Sequence, residues 1–221
     1  YATNVANATI VTHIGGDTVV DATDTPAEVF PMGDLTFTFP DKKSRLTDYR
    51  LHFVLKVVAG KNIVNQKKAF NTNGKAIVQV KKQLLSLEKT YAVYAGVIKD
   101  GVYLNGDGLA KRFTFTLIDA PQLLSPSTAV YYRMPEEFVV ASKAPSVTVY
   151  VDDAASVEQF HCVATMTDGV GSCQPPFGLT LGSYAVRLVD ARGGTLSLPL
   201  LISDFAPGNV LTTDVRSANY H

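Results

Sequence analysis

The chain contains no tryptophan, only two cysteines, and no apolar run approaching the ~18 residues a membrane-spanning helix needs. Two cysteines cannot make a disulfide framework, so a core must come from hydrophobic burial. Net charge is also missing. Twenty Lys and Arg balance twenty Asp and Glu, and no overall field argues for nucleic acid or an anionic membrane. Charged residues are 18% and hydrophobic residues 46%, which is ordinary globular usage and excludes a disordered chain. A length of 221 residues allows one large domain or two modest ones. After Tyr1 no basic stretch is followed by an apolar one, so no targeting segment is expected within these residues.

Catalytic signatures are missing as well. There is no phosphate loop, no dinucleotide fingerprint and no nucleophile elbow; Gly169-Val-Gly-Ser172 resembles the elbow only in composition. His13, His52, His161 and His221 fall outside any metal-binding spacing. Glu136-Glu137 and Asp152-Asp153 are adjacent pairs. Neighbours in a strand point to opposite faces, so neither is an acid and base couple, and both are expected to solvate strand ends. Asp100 to Gly108 has the oxygen density of a calcium loop without the EF-hand spacing. The expectation is a non-enzymatic chain with no cofactor and no metal.

What the sequence does contain is alternation of period two. Tyr49, Leu51, Phe53, Leu55 and Val57 alternate with Arg50, His52 and Lys56, as in a strand with one buried face. Tyr91 to Val97, Phe113 to Leu117, Val147 to Val151 and Tyr184 to Leu188 repeat the pattern, and 35–39, 76–80, 138–140, 160–164 and 196–202 are further candidates. Turn signals lie between them: Asn73-Gly74, Asp100-Gly101, Asn105-Gly106, Asp107-Gly108, Asp168-Gly169 and Gly193-Gly194. The one plausible helical turn is Lys81 to Glu88. Short strands at this spacing predict sandwiches or barrels.

The chain also echoes itself. Leu85-Ser-Leu-Glu-Lys-Thr-Tyr91-Ala-Val93 matches Leu179-Thr-Leu-Gly-Ser-Tyr184-Ala-Val186, and Leu117-Ile-Asp-Ala-Pro121 matches Leu201-Ile-Ser-Asp-Phe-Ala-Pro207. Self-similar phrases recurring in the same order mark a reused unit. Two tandem units are expected, 1–119 and 120–207, with 208–221 as a tail or the start of a further domain. The alternative is one barrel-like jelly roll, a viral coat-type structural protein with a single core.

A Tyr that opens the penultimate strand after a Leu-containing approach resembles the tyrosine corner of immunoglobulin-like and fibronectin type III-like sandwiches. Tyr91 and Tyr184 are the matching positions. Two residues beyond each stand Val93 and Val186 in place of the second intersheet cysteine of antibody domains. The resemblance is therefore to disulfide-free members, and its motifs cover two short segments. It implies an all-β fold of two tandem immunoglobulin-like, fibronectin III-like antiparallel β-sandwiches. It also implies adhesion, recognition or spacing in an extracellular, cell-surface or lumenal protein that binds a protein partner.

Charge is unevenly placed. Residues 1–41 hold six acids and no Lys or Arg, whereas 42–89 hold twelve bases against Asp48 and Glu88. If the basic segment supplies middle strands, Arg50 and Lys56 leave on the solvent face and Lys67, Lys68, Lys81 and Lys82 crowd nearby loops. Such a surface would attract an acidic glycan or acidic partner. Nucleic acid is not expected, because the segment lacks aromatic interleaving. In the alternative, the acidic residues fold beside the basic ones and neutralise them. Cys162 and Cys173 flank Asp168-Gly169 and Gly171, whose reversal could bring the sulfurs together as a local clip; two free thiols are the other reading. Asn7-Ala8-Thr9 is a glycosylation sequon.

Overall fold

A computed structural model describes residues 8–13, 16–20, 26–31, 33–40, 48–104, 108–126, 130–131 and 135–203. They divide into two compact units, those up to Asp119 with Arg192–Gly194, and those of Ala120–Ala191 with Thr195 onward. Both are all-β.

The first unit contains β1 (Ala8–His13), β2 (Gly16–Val20), β3 (Ala27–Val29), β4 (Leu35–Pro40), β5 (Arg50–Val57), β6 (Asn62–Ala69), β7 (Lys75–Val80), β8 (Thr90–Lys99), β9 (Val102–Tyr103) and β10 (Ala110–Leu117). One sheet has the order β2-β1-β4-β7 and the other β3-β10-β8-β5-β6, with β9 beside β8. Alternation decides which faces meet. In β7 the buried residues are Ala76, Val78 and Val80, and in β4 Leu35, Phe37 and Phe39 are 0% exposed. Phe37 reaches across to Phe53, Phe113 and Phe115 of the other sheet at ring separations of 5.3, 6.4 and 5.7 Å. Such pairs contribute about 0.5–1.5 kcal/mol each beyond simple burial. The sheets thus pack face to face over one aromatic core.

The second unit repeats the plan with β11 (Gln122–Ser125), β12 (Val130–Tyr131), β13 (Phe138–Ala141), β14 (Ser146–Asp153), β15 (Glu158–Thr165), β16 (Val170–Cys173), β17 (Gly182–Asp190) and β18 (Thr195–Ile202). Its sheets run β11-β13-β16 and β12-β18-β17-β14-β15. Apart from β2 and β9, which have no counterpart, this is the order of the first unit. Even the parallel edge recurs, β3 on β10 and β12 on β18. Its core joins Phe138 and Val140 to Val147, Val149, Val151, Val186, Leu188, Leu200 and Ile202. The two cores share no residue, so among the described residues the continuous interior of a jelly roll does not occur. The fold is two immunoglobulin-like, fibronectin III-like β-sandwiches, antiparallel except for one parallel edge pair in each.

Two local expectations change. Lys67 and Lys68 are not in a loop: they lie in β6, an edge strand in which only Val64 is buried. The helical segment contracts to a single 3₁₀ turn, Lys82–Leu84. Among the described residues no helix is long and apolar enough to cross a membrane.

Candidate functional site

Tyr91 and Tyr184 sit in the corresponding strands β8 and β17, each opposite the last residue of the neighbouring strand, Val57 and Asp153 respectively. The Tyr91 ring is 1% exposed and stacks on Phe115 at 5.5 Å. Its hydroxyl accepts the Ser86 N–H at 2.6 Å and donates to the Ser86 carbonyl at 3.3 Å. The Tyr184 hydroxyl donates to the Thr180 carbonyl at 3.1 Å. Each ring thus fastens the loop before its own strand. Val93 and Val186, two residues on, are inward-facing core residues.

Cys162 of β15 and Cys173 of β16 are bonded. Asp168 and Gly169, with φ of 52° and 83°, make the reversal between the two strands, the positive-φ pair that a tight turn of the I′ kind requires. The bond does more than clip that loop. Since β15 and β16 are the outermost strands of opposite sheets, it joins the two sheets along one side of the sandwich.

The charged residues separate into several groups. Lys81 pairs with Asp34 at 3.0 Å, and the Lys82 backbone N–H donates to the same carboxylate at 2.8 Å. Both follow the end of β7, a strand of the sheet that does not contain Arg50. The donation from Lys82, followed by the Lys81 ammonium, holds the Asp34 carboxyl below its ordinary range. Lys56 stands over the Tyr94 ring at 4.7 Å, about 20 Å along β5 from Arg50. The six bases of the sequence reading therefore do not form one surface.

Arg50 and Lys67 do come together. Arg50 opens β5 opposite Ile98 of β8, and His52 lies opposite Lys67. Arg50, Lys67 and Ile98 line a cavity of about 550 Å³ with Asp48, Lys99, Asp100 and Gly101. Ile98, 6% exposed, gives it an apolar wall. Among the described residues no carboxylate forms an ion pair with Arg50, Lys67 or Lys99; Lys99 instead lies over the Tyr49 ring at 5.3 Å. Lys68 is exposed on the same edge strand. On the same sheet face His52 is fixed between Tyr103 and Asn65, at 2.7 and 2.9 Å.

Asp152 corrects a further expectation. It is 8% exposed and receives the Arg187 guanidinium at 2.8 and 3.3 Å, so it does not solvate a strand end. This hydrogen bond raises the Arg187 pKa. Arg187 also stacks over Tyr150 at 4.2 Å. Asp153 caps the following turn, accepting from the Ala155 and Val157 N–H groups at 2.9 Å. Among the described residues no group of three His, Cys, Asp or Glu is placed to hold a metal. Asn7, Lys42, Lys43, Arg45, Asn105 to Asp107 and the segment 208–221 lie outside the described residues.

No protein-family model matches the chain, and no curated protein does. Many solved structures align with it, among them two whose alignments cover most of the chain. One is titled as the BSP domain of a biofilm-associated protein, at 17% identity and a TM-score of 0.28; the alignment covers 81% of this chain and 29% of that one. The other holds the first three fibronectin type III domains of chicken CNTN1, at 10% identity and a TM-score of 0.36, covering 84% of this chain and 67% of that one. The chain spans under a third of the length of the first.

Proposed function

We propose that the chain is a non-catalytic recognition and adhesion segment of an extracellular or cell-surface protein, its two sandwiches holding loops rigidly for a partner. The observation that carries this reading is the repeated frame. Each unit buries its own core between two sheets, and each tethers a loop through a tyrosine hydroxyl, so the loops stand on fixed scaffolds, the usual arrangement for binding surfaces. The Cys162–Cys173 bond supports an oxidising compartment. We place the boundary between the units at residues 119 and 120.

Beads coated with the full chain test the reading. They are expected to attach to cell surfaces or extracellular matrix well above beads coated with an unrelated sandwich protein, without turnover of the surface they bind. Attachment no greater than that of the unrelated protein contradicts the proposal.

A further inference from the structure

We infer that the cavity lined by Asp48, Arg50, Lys67, Ile98, Lys99, Asp100 and Gly101 is a binding site for a carboxylated sugar residue of an acidic glycan. This deepens the recognition role proposed above and rests on it.

Placement is the first argument. Register carries three cationic side chains, from β5, β6 and β8, to one end of one sheet. There they line a cavity whose volume of about 550 Å³ falls within the ~300–1,000 Å³ usual for small-ligand sites. The sequence spreads these residues over fifty positions. Only the fold makes them neighbours, and among the described residues none has a carboxylate ion-pair partner.

The lining chemistry then selects among anions. Three bases share the cavity with two acids, Asp48 and Asp100. A polyphosphate or a run of acidic side chains would gain from Arg50, Lys67 and Lys99 but would be repelled by both aspartates. A carboxylated sugar meets all the groups. Its single carboxylate suits the planar fork of Arg50, which binds carboxylates through two parallel hydrogen bonds. Its hydroxyls can donate to Asp48 and Asp100 and accept from Lys67 and Lys99. The C–H face of its ring can lie on Ile98.

The test is direct binding by the full chain at low salt to four probes. They are a hyaluronan decasaccharide, an oligomer of N-acetylneuraminic acid, poly-glutamate and an inorganic polyphosphate of comparable charge. At least one of the two glycans should bind more tightly than either non-sugar anion. Arg50→Ala and Lys67→Ala should each weaken it roughly 10–100-fold, the effect of losing a charge-assisted hydrogen bond. Arg50→Lys should recover only part of the loss. Lys82→Ala, in the 3₁₀ turn after β7, should leave binding unchanged, and backbone amides of Ile98 and Gly101 should shift on titration. Failure of both glycans to bind, tighter binding of poly-glutamate or polyphosphate, or indifference to both alanine substitutions in variants that keep the wild-type unfolding midpoint would overturn the assignment. Beads carrying Arg50→Ala separate the two levels of the argument. Attachment retained by them refutes the glycan site and leaves the recognition role standing, whereas its absence from the wild-type chain refutes the recognition role itself.

Discussion

The hydroxyls of Tyr91 and Tyr184 make the same kind of bond in different surroundings, and the surroundings set what each contributes. Tyr91 is buried, and removing its hydroxyl leaves the Ser86 N–H without its acceptor. Tyr91→Phe is expected to cost about 1–2 kcal/mol, and Tyr184→Phe less because water can replace a more accessible bond. Chemical denaturation of the two variants checks the order, and a larger loss at Tyr184 would contradict it. Asp34 gives a pH signature. Its pKa is lowered in the folded chain, so its contribution is present above the ordinary carboxylate pKa and is lost as pH falls through the depressed folded value. Asp34→Asn should therefore lower the thermal midpoint at pH 7, by an amount that shrinks as the pH is taken down through the acid range, as a melting series would read. At this scale the sequence was partly legible. Two tyrosines in matching phrases identified the corners, whereas the role of Asp152 was hidden, because its partner Arg187 lies 35 residues away on a neighbouring strand.

Strands that bury one face announce themselves. In β5, β8, β10, β14 and β17 the inward residues are nearly all apolar and the pattern shows through. The edge strand β6 does not, since only Val64 is buried and its exposed bases read as a loop. Strands β3, β9 and β12 have three residues or fewer, too short for any period. The cavity was half legible for a related reason. Arg50 and Lys67 stood out as part of a basic segment with Asp48 beside Arg50, but Lys99 and Asp100 join them only through strand register, which is non-local. Where β15 meets β16 the elements leave no spare room. A Cβ on Gly171 would lie 2.4 Å from the Thr165 carbonyl oxygen and 2.5 Å from Met166 Cε. Gly171→Ala is expected to destabilise the second unit by about 1–3 kcal/mol, read as a lower denaturation midpoint; an unchanged midpoint would show that this junction yields easily. The disulfide across the same junction closes a separation of 11 residues, for which loop entropy gives about 2.5–3 kcal/mol. Replacing both cysteines by serine should cost an amount of that order.

At the scale of the whole chain, two cores without a common residue imply two unfolding events rather than one. Phe53→Ala empties a fully buried site in the first unit and should cost about 3–5 kcal/mol there. The double serine variant should weaken only the second unit. In calorimetry the two changes should move different transitions. Tandem organisation was legible in the sequence because the same phrases recur at matching places. Recognition of a particular ligand was not, because it depends on which loop ends the fold gathers. The most direct test of the central claim is limited proteolysis of the intact chain followed by mass measurement of the resistant pieces. Two stable fragments parting near residues 119–121, each retaining cooperative unfolding when isolated, are the predicted result. A single resistant piece running through that position, or fragments that lose structure once separated, would contradict it.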